Sequence, residues 1–344
     1  MSIPNLSFDH LLRLSDDVGL LEHARGAIPR RECGYCLDDV SRGLIVLARQ
    51  PDPSPEQINL AAGYLAFVAH AQDPTGTCRN RLGYDRRWVD VAGTGDWWGR
   101  ALWGLGTTAS GSGPAWLRAE ALDRFSVSSV RRSPWPRAMA FAALGAAEVV
   151  VSTPDHGPAR QLLRDAADGL GRPGDDEVWP WPEDRLTYAN AALAEALIAA
   201  GTTLDDAKCV DDGLRLLTWL VELQTVEGHL SLVPASGWSC HDVPPGFDQQ
   251  PIEAAALADA CARALSVTGD SRWQIVVSGC VDWFLGENDS KAVMHDPATG
   301  GGYDGLEAGG VNRNQGAEST LGWMLTLQHG HRLAGDLTAS PRSW

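Results

Sequence analysis

Gly309-Gly310-Val311-Asn312-Arg313-Asn314-Gln315-Gly316-Ala317-Glu318-Ser319-Thr320-Leu321-Gly322-Trp323-Met324 is the stretch whose reading decides the fold. A glycine-rich loop ends in polar residues, and an apolar helix follows at once. Asn314 is predicted to cap that helix, because its side chain can accept from a free N–H of the first turn. Glu318 then lies about one turn further in. The same order of loop, carboxylate or cap, then apolar helix recurs upstream, with helix starts predicted near 38, 96, 133, 184 and 248. Together with 314 these starts lie about 55 residues apart on average, room for two helices and two connections. Ser133 with Pro134 is predicted to open the third of these helices as cap and first residue.

Between successive starts lies one further helix with more surface charge, predicted over Glu56–Gln72, Pro114–Val130, Gly157–Leu170, Leu204–Gln224 and Arg272–Leu285. An amphipathic helix over residues 7–26, ended by Gly26 and Pro29, completes six alternating pairs. Runs such as Ala191-Ala192-Leu193-Ala194 and Ala254-Ala255-Ala256-Leu257 are small and apolar, as helices buried on all sides must be. Six such pairs predict an all-α, (α/α)6 barrel spanning 1–344 as one domain, with long loops gathered on one face. Short strands are predicted around Cys78–Tyr84 and Arg87–Val91. A helical solenoid is the competing architecture, and the one-sided long loops favour the closed ring.

The 344 residues carry a formal net charge of −16. No basic stripe is present to neutralise phosphates, which argues against nucleic acid as a partner. The start, Met1-Ser2-Ile3-Pro4-Asn5, has no basic region followed by an apolar run, and no stretch is apolar enough to span a bilayer. Seven cysteines form no framework spacing, so reduced thiols and a cytoplasmic protein are expected. Cys33-Gly34-Tyr35-Cys36 is a lone C-x-x-C that could join Cys240-His241 around zinc, but no second pair demands it, and no metal is expected. No phosphate-binding or dinucleotide loop appears, so no cofactor is expected. Thr299–Gly305 reads as a flexible loop over the cleft.

A ring of this kind brings Asp38, Asp39, Asp96, Glu183, Asp184, Asp248, Asn314 and Glu318 to one end. Cleaving a glycosidic bond takes one carboxyl group to protonate the leaving oxygen and a second as base or nucleophile. Crowded carboxylates raise one another's pKa, which suits one of them to be the acid. Asp39, Asp184, Asp248 and Glu318 are the catalytic candidates. Acidic residues also favour helix N-termini for capping alone, a reading that competes most closely at Asp96. Arg42, one turn after Asp38-Asp39, can pair with either. Seven of the 14 tryptophans, Trp88, Trp97, Trp98, Trp135, Trp179, Trp181 and Trp238, lie near the loops leading into these helices. Indoles offer the flat faces that sugar rings stack on, though they also plug barrel ends. Tyr35, Asp38, Asp96, Trp97, Trp98, Trp181, Tyr188, Gln249, Gln250, Asn312 and Asn314 are the substrate-binding candidates, for a small carbohydrate or glycoside.

Several blocks in order resemble a bacterial family of six-hairpin, glycosidase-like (α/α)6 proteins associated with glycosyltransferases. They are Glu32-Cys33-Gly34-Tyr35-Cys36-Leu37-Asp38-Asp39, Gly99-Arg100-Ala101-Leu102-Trp103, Phe247-Asp248-Gln249-Gln250-Pro251-Ile252-Glu253-Ala254 and Asn312-Arg313-Asn314-Gln315-Gly316-Ala317-Glu318-Ser319. The resemblance covers roughly residues 7–330. It implies a barrel, a sugar ligand and a functional association with a glycosyltransferase. The chain departs from the family at Gly95-Asp96-Trp97-Trp98, where an acidic pair and Ser-His stand, and at Tyr188-Ala189-Asn190, where the middle residue is Asp. The expected function is cleavage or transfer of a glycosidic bond by a hydrolase or phosphorylase-like enzyme, with inversion. A sugar epimerase or isomerase needs a histidine base, and His241 and His295 are the histidines expected in cleft loops. A non-catalytic sugar-binding partner of a glycosyltransferase is the third reading, favoured by Trp97-Trp98 and the missing carboxylates. A barrel adapted to an aglycone-bearing or terpenoid ligand is the fourth, on tryptophan content alone.

Overall fold

The computed structural model describes residues 3–242 and 246–336; the expected span of 1–344 takes in residues outside these. Twelve α-helices are found among them. They are α1 (Asp9–Leu14), α2 (Leu37–Ala48), α3 (Pro55–Ala71), α4 (Asp96–Ser110), α5 (Ala115–Ser128), α6 (Pro136–Ser152), α7 (Gly157–Gly169), α8 (Ala191–Leu204), α9 (Ala207–Leu223), α10 (Pro251–Thr268), α11 (Arg272–Phe284) and α12 (Ala317–Asp336). The even-numbered helices pack in the cyclic order α2, α4, α6, α8, α10, α12 and back to α2, so the ring closes. The odd-numbered helices pack outside it. This is an (α/α)6 barrel.

Inner helices are buried along nearly their whole length; α6 runs buried from Arg137 to Ala147, and α8 from Ala191 to Gly201. Outer helices bury one face only, as α7 does with Leu162, Leu163 and Ala166. Glycine sets how close two inner helices come. A Cβ at Gly99 would strike the carbonyl of Ala138, one at Gly106 that of Gly145, and one at Gly145 that of Leu102. Backbone of α4 therefore lies directly on backbone of α6, which any larger residue would prevent. Local chemistry fixes the outer starts. Ser54 and Gln57 form a reciprocal capping box on α3, and Asp206 caps α9 by accepting from the Cys209 N–H.

The inner helices α2 to α10 return through short connections, such as 49–54, 205–206 or 269–271, and all six are entered through longer ones, such as 72–95, 224–250 or 285–316. Short returns make neighbours antiparallel, so all six inner N-termini share one end, with the long segments above them. Short antiparallel strand pairs stitch these segments: Tyr35–Cys36 with Arg81–Leu82, Arg185–Leu186 with Trp238–Ser239, and Gly305–Glu307 with Gly310–Asn312.

Four local expectations change. The predicted 7–26 helix is only Asp9–Leu14, and the chain then turns into a hairpin, Ala24–Arg25 with Ile28–Pro29, because the pattern after Leu14 loses its helical period. The third inner helix opens at Trp135-Pro136 rather than Ser133-Pro134; the Ser133 hydroxyl accepts from the Trp135 N–H, closing a turn before it. Asn314 lies before α12 and does not cap it, its side-chain oxygen accepting from the Gly26 N–H at 3.0 Å. Thr299–Gly305 packs against α12: a Cβ on Gly302 would strike the Ser319 carbonyl, and the Gly302 N–H donates to Thr320 Oγ1. No helix among the described residues is long and apolar enough to cross a membrane.

Candidate active site at the barrel mouth

A cavity of about 490 Å³ opens where the inner N-termini converge. The first turn of α2 gives it Asp38 and Asp39, and the next turn Arg42. Arg42 is almost fully buried and serves three carboxylates. Its Nη1 lies 2.5 Å from Asp39 Oδ1, and its Nη2 lies 2.7 Å from both Asp38 Oδ2 and Glu318 Oε2. Glu318 comes from the first turn of α12, so one guanidinium ties the first inner helix to the last. Arg100 of α4 stands with Nε 2.9 Å from Asp38 Oδ1 and its guanidinium 3.8 Å over the Phe141 ring. That ion pair is poorly aligned for hydrogen bonding. Asp38 Oδ1 and Arg42 Nε, both on cavity-lining residues, stay buried without a hydrogen-bond partner.

Across the cavity, α4 contributes Asp96 and Trp97, and the segment before α8 contributes Tyr188. The Tyr188 hydroxyl donates to Asp96 Oδ2. Arg137 of α6 holds the Tyr188 carbonyl through Nε at 2.6 Å while gripping both oxygens of Glu183 and Asn190 Oδ1. Glu253 of α10 accepts from the Ala189 N–H and from Asn190 Nδ2. Ala189 has φ 46, a left-handed conformation rare for a residue with a Cβ, so these anchors hold a strained turn that sets Tyr188. Trp97 is fixed by its Nε1–H to the Cys78 carbonyl at 2.7 Å, and Gly95 leaves room for its ring, which a Cβ there would strike.

Burial pushes the Asp39 carboxyl up to about 8; Arg42 opposes this, and Glu318, Asp38 and Glu22 add to it. Burial works to lower Arg42, but its three carboxylates outweigh that and drive it well above its ordinary value. The two shifts agree physically. One guanidinium shared among three carboxylates stays charged, and the most buried acid takes a proton. Burial likewise raises Glu253 to about 7 against its hydrogen bonds from Ala189 and Asn190, and raises Asp304 against the Gly316 N–H.

Among the described residues, two groups of side chains have the spacing of a cation site. Asp38, Asp39 and Glu318 bring ligand atoms within 4.8 Å of one another, as do Glu22, Cys36 and Asp39. In the first the Arg42 guanidinium already stands as the cation. In the second the buried Cys36 thiol donates to Asn80 Oδ1 and is pushed well above its ordinary pKa, which disfavours the thiolate a metal needs. Cys240 and His241 belong to neither group.

Of the residues singled out in the sequence, Asp38, Asp39, Asp96, Trp97, Tyr188, Gln250, Asn312 and Glu318 line the cavity. The others do not. Asp184 and Asp248 are exposed outside it, on loop backbone whose side chains face solvent. Tyr35 is buried and donates to Asp16 Oδ2. Trp98 is a core residue bonded to the Gly76 carbonyl, and Trp181 stacks on Trp219. Gln249 is fully buried, receiving Trp283 Nε1–H and donating to Asp289 Oδ2. Asn314 is spent on Gly26. His295 stacks on Trp323 at 4.5 Å, and His241 lies exposed outside the cavity. Sequence reasoning missed Glu22, His23, Asn80, Arg81 and Asp304. The first two were hidden in the over-long helix. The Arg81–Leu82 strand offered a signal, since it pairs with Tyr35–Cys36 and so brings Asn80 beside Asp38.

No known family and no curated protein matches the chain by sequence. Solved structures do match its fold. A sugar epimerase from a ruminal bacterium aligns with a TM-score of 0.69 at 12% identity, covering 94% of this chain and 95% of its own. The cellobiose 2-epimerase of Spirochaeta thermophila aligns at 0.66 and 13%, covering 93% and 91%. An α-mannanase of Bacteroides thetaiotaomicron aligns at 0.59 and 9%, covering 88% of each. These likenesses show the (α/α)6-barrel fold.

Proposed function

We propose that the protein is a carbohydrate-active enzyme that cleaves or transfers a glycosidic bond at the barrel mouth. The observation that carries this is the Asp38–Asp39–Glu318 triple on a shared Arg42, with Asp39 raised to about 8. At neutral pH Asp39 then holds a proton to give to a leaving oxygen, and Glu318, the most open of the three, is the base or nucleophile. Asp96 with Tyr188, Gln250 and Asn312 supply acceptors and donors for hydroxyls, and Trp97 an apolar face. The named sugar epimerases and mannanase on the same barrel support a sugar as ligand. With the fold goes the proposal that the protein works beside a glycosyltransferase, whose products are glycosides.

Inversion needs carboxyl groups roughly 6.5–9.5 Å apart to admit a water, and retention about 5–5.5 Å. The Asp39 and Glu318 ligand atoms lie within 4.8 Å, which favours retention in place of the inversion expected from the sequence. Inversion would instead point to Asp96 as a partner. Glu318→Gln is expected to cut turnover by about 10²–10⁴-fold with the melting temperature held. Full activity in that variant removes Glu318 from the chemistry.

One observation favours an epimerase or isomerase as the second reading. His23 lines the cavity, with Nε2 3.6 Å from Glu22 Oε1. It is a single, half-exposed imidazole, and His23→Asn abolishing turnover while Glu318→Gln spares it would select this reading.

A further inference from the structure

We infer that the cleft continues past Asp96 and Trp97 into a second sugar subsite floored by Trp135, so that the ligand is an oligosaccharide or other extended glycoside. This rests on the carbohydrate reading of the cavity. Beside that cavity lies a second hollow of about 480 Å³, lined by Val91, Gly93, Gly95, Pro134 and Trp135. Asp96 and Trp97 line both spaces. Each space falls within the roughly 300–1,000 Å³ of small-molecule sites, so together they exceed one sugar's need.

Trp135 is 62% exposed, and Val91 beside it 83%. Pro134 and Pro136 restrict the backbone on both sides of Trp135, and its N–H is tied to Ser133 Oγ at 3.1 Å. Trp97 is likewise locked to the Cys78 carbonyl. Two indoles on stiff supports and one carboxylate line this hollow, matching what successive pyranose units present: an apolar face to stack and hydroxyls to bond. The hollow holds no basic side chain, which suits a neutral glycan. Trp116 is a control, since it is 58% exposed on α5 and lines neither space.

Calorimetric titration with cello- and manno-oligosaccharide ladders, from monosaccharide to hexasaccharide, tests the subsite. In the wild type, affinity is expected to rise by about tenfold along the ladder that binds. Trp135→Ala is expected to erase that rise, and Trp116→Ala to keep it. A rise equal in both variants overturns the subsite. So does a wild type that binds the short sugars with no gain from length, and in that case the cavity reading stands. If no sugar of either ladder binds the wild type, the cavity reading falls and the subsite with it.

Discussion

The barrel contains two buried ionic networks built from the same residue types, one at its mouth and one deeper along the inner helices. In the deeper one, Asp259 of α10 accepts from Arg49 Nη1 at 2.5 Å and His329 Nε2 at 2.6 Å. Glu195 of α8 receives Arg263 Nε at 3.0 Å, and Arg263 reaches Glu148 of α6. Burial works to raise Asp259, but Arg49 and His329 outweigh it and hold the carboxyl well below its ordinary range. Burial lowers His329, so the imidazole acts as a neutral donor and Arg49 carries the charge. None of these residues lines the mouth cavity. At the mouth, three carboxylates share Arg42, with Arg100 beside Asp38, and open onto space. Both networks set three carboxylates on two guanidiniums, and burial raises Glu195 to about 7 as it raises Asp39; the difference is room, since only the mouth opens its raised acid onto a space a substrate can enter.

The comparison breaks first on Asp259→Asn. Removing one partner of a buried pair costs about 3–5 kcal/mol, because Arg49 is left uncompensated. Chemical denaturation should show that loss, while the folded fraction keeps its turnover. A variant that keeps its stability and loses activity would give the deeper network a part in the chemistry.

Next comes the pH dependence of activity. Asp39 must be protonated to act as the acid, so activity is expected to fall as pH rises through about 8. A rate profile flat from neutral pH to well above that value would take the acid role from Asp39.

The smallest effect is on stability. Glu253 has a folded pKa of about 7 against an ordinary 4.5. The folded state then binds the extra proton between those values, so its contribution is complete below 4.5 and lost as pH rises through 7. Asp259 runs the other way, contributing above its ordinary value and losing on acidification. Glu253→Gln should flatten the decline in melting temperature across this window. An unchanged slope would mean that Glu253 is ionised throughout.

The inner ring was legible because small apolar runs after polar loops have one physical cause, burial on all sides, and five of six inner starts fell within one turn of the sequence reading, the sixth, Ala191, lying about two turns on. Glu318 and Asp39 were legible for the same reason: they lie in the first turn of such helices. Asp184 and Asp248 were not separable from them, since spacing in sequence does not fix where a loop acid points. Nor could the sequence say that Trp98 and Trp181 turn into packing while Trp97 turns to the cavity. Helical position put Trp97 and Trp98 on different faces, but only the carbonyls of Cys78 and Gly76 reveal which face is which. Glu22 and His23 needed the end of α1, and a fading period marks a helix end less sharply than a glycine.

The most direct measurement is proton NMR of the wild-type protein with an oligosaccharide panel in D2O, with and without inorganic phosphate. The account predicts a new reducing-end or glycosyl-phosphate anomeric signal, of retained configuration, with no deuterium entering at C2. Sugars that bind and come back uncleaved, or that exchange their C2 proton, would contradict it. The first result would make the mouth a binding site, and the second would make His23 the base.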